Sequence, residues 1–221
     1  ETWHGRRAGL EGACELYGAE DAFPITDLDD ILPGLLENKN RIYYTMGRYA
    51  DFDQRLMSWI NRVTSKGRAG VHAPDQFVSL GHIVHEMRLF KSSQELKAMR
   101  RAATITAEAH RRAMSVSEPG MKEYQIEAEL MHCFMDHGAR APAYPSIVGS
   151  GANSCILHYT ENTSAMKDGD MLLIDAGAEY DSYAADLTRT FPVNGTFSEE
   201  QKLAYEIVLE AQIAAISEVR P

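Results

Sequence analysis

The sequence is short of cysteine, and its three, Cys14, Cys133 and Cys155, fall in no CxxC spacing. An odd, scattered set argues against a disulfide framework and fits reduced thiols in a cytoplasmic protein. Long apolar runs are also missing. Nothing approaches the roughly 18 consecutive apolar residues of a membrane span, and no signal-peptide pattern is present. Positive charge is scarce: 22 Lys and Arg stand against 32 Asp and Glu, a net charge of −10. That balance argues against a general nucleic-acid binder. No HExxH frame surrounds His82 or His85, and His132 and His137 flank a helix end, so all four read as structural or surface groups. Gly149-Ser150-Gly151 lacks the further Gly and the Lys-Ser/Thr of a phosphate loop, and reads as a turn. No internal repeat of 20–50 residues is visible. The chain opens on Glu1 instead of Met and stops at Arg220-Pro221, just after a helical pattern. Both ends read as cut, which predicts a fragment or a processed product.

What is present is ordinary for a globular protein: 221 residues, 44% hydrophobic and 24% charged. That length holds one large domain or two small ones. Residues 1–79 mix short elements and predict part of an α/β domain. Ile25 to Leu36 is apolar but interrupted by Pro33-Gly34, Arg41 to Met46 reads as a strand ended by Gly47, and Leu56 to Val63 reads as a helix. Residues 80–221 give sharper signals. Ser92-Ser93-Gln94-Glu95 is a capping box, in which the Ser92 hydroxyl and the Glu95 side chain each satisfy the other's backbone N–H. It opens a helix with Leu96, Met99, Ala103, Ala107 and His110 at helical spacing, to about Val116. A second helix carries Ile126, Leu130 and Phe134 on one stripe and stops at Gly138. Ser198-Glu199-Glu200-Gln201 caps a third, with Leu203, Ile207, Val208, Ala211 and Ala215 predicted inward. Between the second and third helices lie candidate strands: Ser146 to Val148, Cys155 to Tyr159, Met171 to Asp175 and Tyr183 to Val193. Helices followed by a strand meander, with no alternating βα pattern, predict an α+β domain.

The strongest chemical signal is Leu173-Ile174-Asp175-Ala176-Gly177 followed by Ala185-Asp186-Leu187-Thr188-Arg189. A hairpin with a two-residue turn at Tyr180-Asp181 would oppose Glu179 to Ser182 and Asp175 to Asp186. Directly opposed residues share a face, with Cβ atoms about 4.5–5.5 Å apart. Two ionised carboxylates so close need a proton, a cation or an arginine between them. Hard divalent ions suit oxygen ligands, and two-metal hydrolytic sites hold their ions about 3.5–4 Å apart. A single aspartate at a strand end more commonly caps a turn or pairs with an arginine such as Arg189; two on one face shift the balance towards a metal. Glu179 would share that face but lie nearer the turn, in solvent. His158, after Ile156-Leu157, is either a satisfied structural histidine or an imidazole that contacts substrate or moves a proton. Cys155, three residues earlier on a strand, would face the opposite way, against a cysteine nucleophile.

These residues meet a family pattern. His85 to Ser92, Ile147-Val148-Gly149-Ser150-Gly151, Cys155 to Asn162, Leu173 to Gly177, and Asp186 through Thr188-Arg189-Thr190 to Gly195 together resemble the Xaa-Pro aminopeptidase (aminopeptidase P) family. Residues 1–79 resemble the later part of that family's N-terminal domain, most clearly at Trp3 and Gly5-Arg6-Arg7. The resemblance implies the first half of a pita-bread metallopeptidase domain. It implies a two-ion site, usually manganese, that releases the N-terminal residue from peptides with proline in second position. Asp175 matches the first aspartate ligand, Asp186 the aspartate bridging both ions, His158 a histidine assisting at the scissile bond, and Tyr144 a tyrosine near the ions and the substrate amine. Trp3 resembles a tryptophan that reaches a neighbouring subunit's site, which implies a homo-oligomer. The family's other ligands, a histidine and two glutamates, lie in a second half absent from these 221 residues, so weak or absent metal binding by the chain alone is expected. A prolidase on the same fold and a non-catalytic peptide-binding module remain alternatives. Creatinase, which uses no metal, fits poorly with two carboxylates.

Overall fold

The structure, a computed structural model, describes residues 3, 5 and 7–220. They form two compact units, one ending at Phe90 and one beginning at Lys91. Arg6, within the Gly5-Arg6-Arg7 match, lies outside the described residues.

The first unit contains helices α1 (Gly9–Tyr17), α2 (Leu28–Leu36), α3 (Ala50–Thr64) and α4 (Leu80–Leu89), with strands β1 (Arg41–Tyr43) and β2 (Gln76–Val78) paired in parallel. Leu56, Trp59 and Ile60 of α3 form its core against Leu28, Leu32 and Phe52. Pro33 does not interrupt α2 but sits inside it. A proline there cannot bond the carbonyl four residues back. That carbonyl, on Asp29, instead accepts from the Arg62 guanidinium of α3 at 3.0 Å. A tertiary contact thus replaces the missing helical one.

The second unit begins with α5 (Ser93–Val116) and α6 (Glu123–Asp136). Strands β3 (Ala141–Pro142), β4 (Ile147–Ser150), β5 (Met171–Ala176), β6 (Ala178–Tyr180), β7 (Tyr183–Ala184) and β8 (Leu187–Pro192) follow, and α7 (Glu199–Ser217) ends it. The strands make two antiparallel three-stranded sheets, β4-β5-β8 and β3-β6-β7. This is the α+β arrangement expected. Burial alternates strictly along β5: Leu172, Ile174 and Ala176 are buried, whereas Met171, Leu173 and Asp175 lie on the other face. The buried face packs with Ile105 and Ala109 of α5 and Ile126, Leu130 and Phe134 of α6. Fully burying a large aliphatic or aromatic side chain contributes about 1.5–3 kcal/mol, so this face fixes the sheet and leaves the Asp175 face free. Thr106 ties α5 to the second sheet, its hydroxyl accepting from the Ala178 N–H at 2.9 Å.

Both serine capping boxes form, and the α6 stripe is buried as read. Four sequence expectations need correction. The buried residues of α5 are Ala102, Ile105, Thr106, Ala109, His110 and Ala113, so Leu96 and Ala103 do not belong to its inner face. The inner stripe of a helix with scattered alanines is set by what packs on it, and spacing alone leaves two stripes open. The predicted strand at Cys155 to Tyr159 does not form: Gly151–Cys155 is a 3₁₀ turn, and Leu157 is 89% exposed. Its apolar residues lack a partner strand. The inward residues predicted for α7, Leu203, Ile207, Val208, Ala211 and Ala215, are all exposed. Their spacing makes an apolar face, but no described element covers it. The hairpin turn is Asp181-Ser182, not Tyr180-Asp181. Both residues have positive φ, 49° and 67°, as a type I′ turn requires. Glu179 therefore opposes Ala184, and Asp175 opposes Thr188 instead of Asp186.

Candidate metal and peptide site

The register moves by two residues, and an even shift keeps every side chain on its predicted face. Carried past the end of β8, it sets Asp186 across from Gly177, diagonal to Asp175. The backbone there is unusually close: a Cβ built on Gly177 would lie 1.7 Å from the Ala185 carbonyl oxygen. Only glycine permits this approach, which brings Asp186 in against β5.

Tyr144 shows that the two carboxylates converge. Its hydroxyl lies 2.5 Å from Asp175 Oδ1 and 3.1 Å from Asp186 Oδ1. Burial first, then the hydrogen bond to Asp175 and its charge, push the Tyr144 pKa well above a normal phenol. The hydroxyl therefore stays protonated and donates. One proton cannot satisfy two ionised carboxylates, so the pair has acceptor capacity left for a cation. An all-oxygen set of two carboxylates and a phenol suits a hard divalent ion. Among the described residues no group of three His, Cys, Asp or Glu side chains could hold a metal, so the pair is a candidate for only part of a metal site.

Tyr144, Pro145, Ile147, His158, Asp175 and Asp186 line one cavity of about 410 Å³. The structure thus brings together His158, Tyr144, Asp175 and Asp186, four of the five residues singled out from sequence. His158 reaches the cavity from a turn, not a strand. Trp3, the fifth, is 89% exposed in the first unit. Cys155 is exposed and does not line the cavity. Glu179 is exposed, as expected from its place near the turn. A second cavity, about 470 Å³, lies between α7 and the strands at Met171, Thr188 and Thr190. It is larger but has no carboxylate in its wall.

Sequence reading missed Glu123 and Asn162, both essentially buried. Asn162 has φ of 49°; its Oδ1 accepts from the Val148 N–H and its Nδ2 donates to the Ser146 carbonyl. It thereby holds its loop along β4. The one available signal was a polar residue immediately after Tyr159-Thr160-Glu161 in a matched motif, which marks position but not burial.

Behind the sheet, His110 is buried, with Nδ1 2.9 Å from the Thr106 carbonyl. Burial lowers its pKa from 6.5, against backbone hydrogen bonds that raise it, and nearby Arg189 adds to the lowering. In the unfolded chain the imidazole binds its proton near pH 6.5, while the folded chain resists until lower pH. The unfolded state then holds more protons, so stability falls as pH drops through 6.5. Thermal unfolding followed at pH 7.5, 6.5 and 5.5 should show this loss, and His110→Gln should flatten it.

Comparison with known proteins places these features. Residues 97–221 match metallopeptidase family M24, and residues 1–43 match the aminopeptidase P N-terminal domain. The Xaa-Pro aminopeptidase of Escherichia coli is 47% identical over all 221 residues, which span 50% of that protein. The structure of Pseudomonas aeruginosa aminopeptidase PepP superposes with a TM-score of 0.95 at 57% identity, covering 100% of this chain and 50% of that one. A zinc-substituted E. coli aminopeptidase P in complex with product superposes with a TM-score of 0.94 at 47% identity, with the same coverage. The chain spans about half the length of the relatives it matches. Among the described residues no helix is long and apolar enough to cross a membrane.

Proposed function

The chain belongs to metallopeptidase family M24, and we propose that its protein is a metal-dependent aminopeptidase that releases the N-terminal residue from peptides with proline in second position. The single observation carrying this reading is the Asp175–Tyr144–Asp186 cluster on the wall of a cavity that His158 also lines. Asp175 and Asp186 would hold the ions, with Asp186 shared between them. Bound divalent ions would supply Lewis acidity towards a carbonyl and lower the pKa of water. The chain's own residues do the rest. Tyr144 keeps its proton and sets the two carboxylates in orientation. His158, exposed at the cavity edge, donates a hydrogen bond to the scissile carbonyl oxygen as negative charge develops there. The amide before proline carries no N–H, so recognition cannot use that donor and depends on a shaped pocket. The same reading takes manganese as the ion, as the family resemblance implies; the carboxylates suit hard divalent metals in general. The three unpaired cysteines favour the cytoplasm, and exposed Trp3 favours a homo-oligomer in which it meets another copy.

The test is a hydrolysis assay on a protein extended to the length of its relatives, with added manganese and equal amounts of a tripeptide with proline second and an Xaa-Pro dipeptide. The tripeptide should be cleaved after its first residue, and a chelator should stop the reaction until manganese is restored. Preferential cleavage of the dipeptide would replace this reading with a prolidase. Peptide binding without cleavage would leave only a binding module.

A further inference from the structure

Glu123, the first residue of α6, is fully buried, yet its recorded partners are all neutral donors. Oε1 accepts from the Ser150 N–H and hydroxyl, both at 2.8 Å, and from Asn153 Nδ2 at 3.1 Å. Oε2 accepts from the Tyr159 hydroxyl at 2.8 Å and the Ser164 N–H at 2.9 Å. Burial pushes the carboxyl pKa up, but the bonds from Ser150, Asn153 and Tyr159 outweigh it and hold the pKa below its usual value. A buried carboxylate is costly unless its acceptor sites are filled. Here they are filled by four residues spread from 150 to 164, the loop that carries His158. One turn along α6, Glu127 accepts from Asn162 Nδ2 at 2.8 Å, so the same helix grips the loop a second time.

Elsewhere the loop is held at its far end, by Asn162 on β4 and by the Glu123 N–H donating to the Ser164 carbonyl at 3.0 Å, but the stretch around His158 has less support. It forms no strand, and Ile156 and Leu157 are exposed. His158 itself is exposed at the cavity, but the next residue, Tyr159, is buried with its hydroxyl on Glu123. The imidazole therefore sits one residue from the anchor. We propose that Glu123 is the positioning residue that holds His158 beside the carboxylate pair, by clamping the 150–164 loop onto α6. The proposal rests on the reading of His158 as the group acting at the scissile carbonyl. Glu123 acts through the loop and touches no substrate.

Amide hydrogen exchange on the 221-residue chain reads the clamp without any activity. The probes are Val148, Ile156 and Thr163, whose N–H groups bond elsewhere than Glu123; Leu172 and Ile174 in β5 are the reference. Glu123→Gln keeps the shape but turns an acceptor into a donor that faces donors. It should speed exchange at the probes about tenfold while the reference amides change far less, as for a local opening. Tyr159→Phe should act in the same direction more weakly at Val148 and Ile156, Thr163 being set aside because its N–H donates to the Tyr159 hydroxyl, and carries the test if Glu123→Gln fails to fold. Equal acceleration at probes and reference, or none at the probes, overturns the clamp.

In the extended protein, Glu123→Gln should lower kcat on the tripeptide about tenfold, the scale of a lost supporting contact, with KM little changed. It should cause no further loss when His158 is already alanine; an additive loss overturns the positioning role. Absence of turnover by the unaltered extended protein would sink the peptidase reading instead, and the exchange result would then decide the clamp alone.

Discussion

Turnover of a tripeptide with proline in second position is expected to be absent from the 221-residue chain alone. In a protein extended to the length of its relatives, it is expected to fall on the order of 10²–10³-fold when either Asp175 or Asp186 is replaced by alanine, the scale of losing a main transition-state stabiliser. Both expectations come from one geometry. The candidate site has two carboxylates joined through Tyr144, and among the described residues no group of three His, Cys, Asp or Glu side chains could hold a metal. Manganese stands lowest in the divalent affinity series, so two oxygen donors in partial solvent hold it weakly. Calorimetric titration of the chain with manganese should show weak binding or none, and Asp186→Ala should abolish whatever is seen. Turnover by the chain above a metal-only control would mean that further ligands lie within these 221 residues. Full activity of the extended protein carrying Asp186→Ala would remove the carboxylate pair from the mechanism.

Gly177→Ala should be the most damaging single methyl in the second unit. The new Cβ would stand 1.7 Å from the Ala185 oxygen and 2.5 Å from its carbonyl carbon. Both are backbone atoms, so no side chain can rotate away. The hairpin must open between β5 and β8 or between β6 and β7, breaking bonds such as Ala185 N–H to the Ala178 carbonyl at 3.0 Å. The cost is on the order of 4 kcal/mol, among the largest for a point change, and should lower Tm by roughly 10 °C. Gly34→Ala is the control, since nothing lies within 4 Å of its Cβ position; inside α2 it should stabilise by about 0.5–1 kcal/mol. An unchanged Tm for Gly177→Ala would refute the close approach. Because Asp186 adjoins the contact, the surviving folded fraction should also lose whatever manganese binding the unaltered chain shows.

Much of this protein was determined by sequence alone. The stripe at Ile126, Leu130 and Phe134 established the buried face of α6, because side-chain direction follows from backbone period; Met171 to Ala176, apolar at all but Asp175, gave a strand without saying which face packs. The serine capping boxes fixed helix starts through bonds spanning three residues. The pairing of Asp175 with Asp186 on one face survived an error of two in the register, since only an odd shift changes face. Tertiary structure decided the rest. The turn moved to Asp181-Ser182, where both residues take positive φ, a preference weaker in sequence than that of Asn-Gly. The apolar face of α7 is exposed, because spacing can specify a face without specifying what covers it. Cys155 to Tyr159 looks like a strand by composition, yet no strand forms there, and Glu123 holds the loop from behind through Ser150, Asn153, Tyr159 and Ser164. A buried carboxylate with donors gathered from 150 to 164 leaves no local signature, because its partners meet only after α6 and the β4 loop have packed.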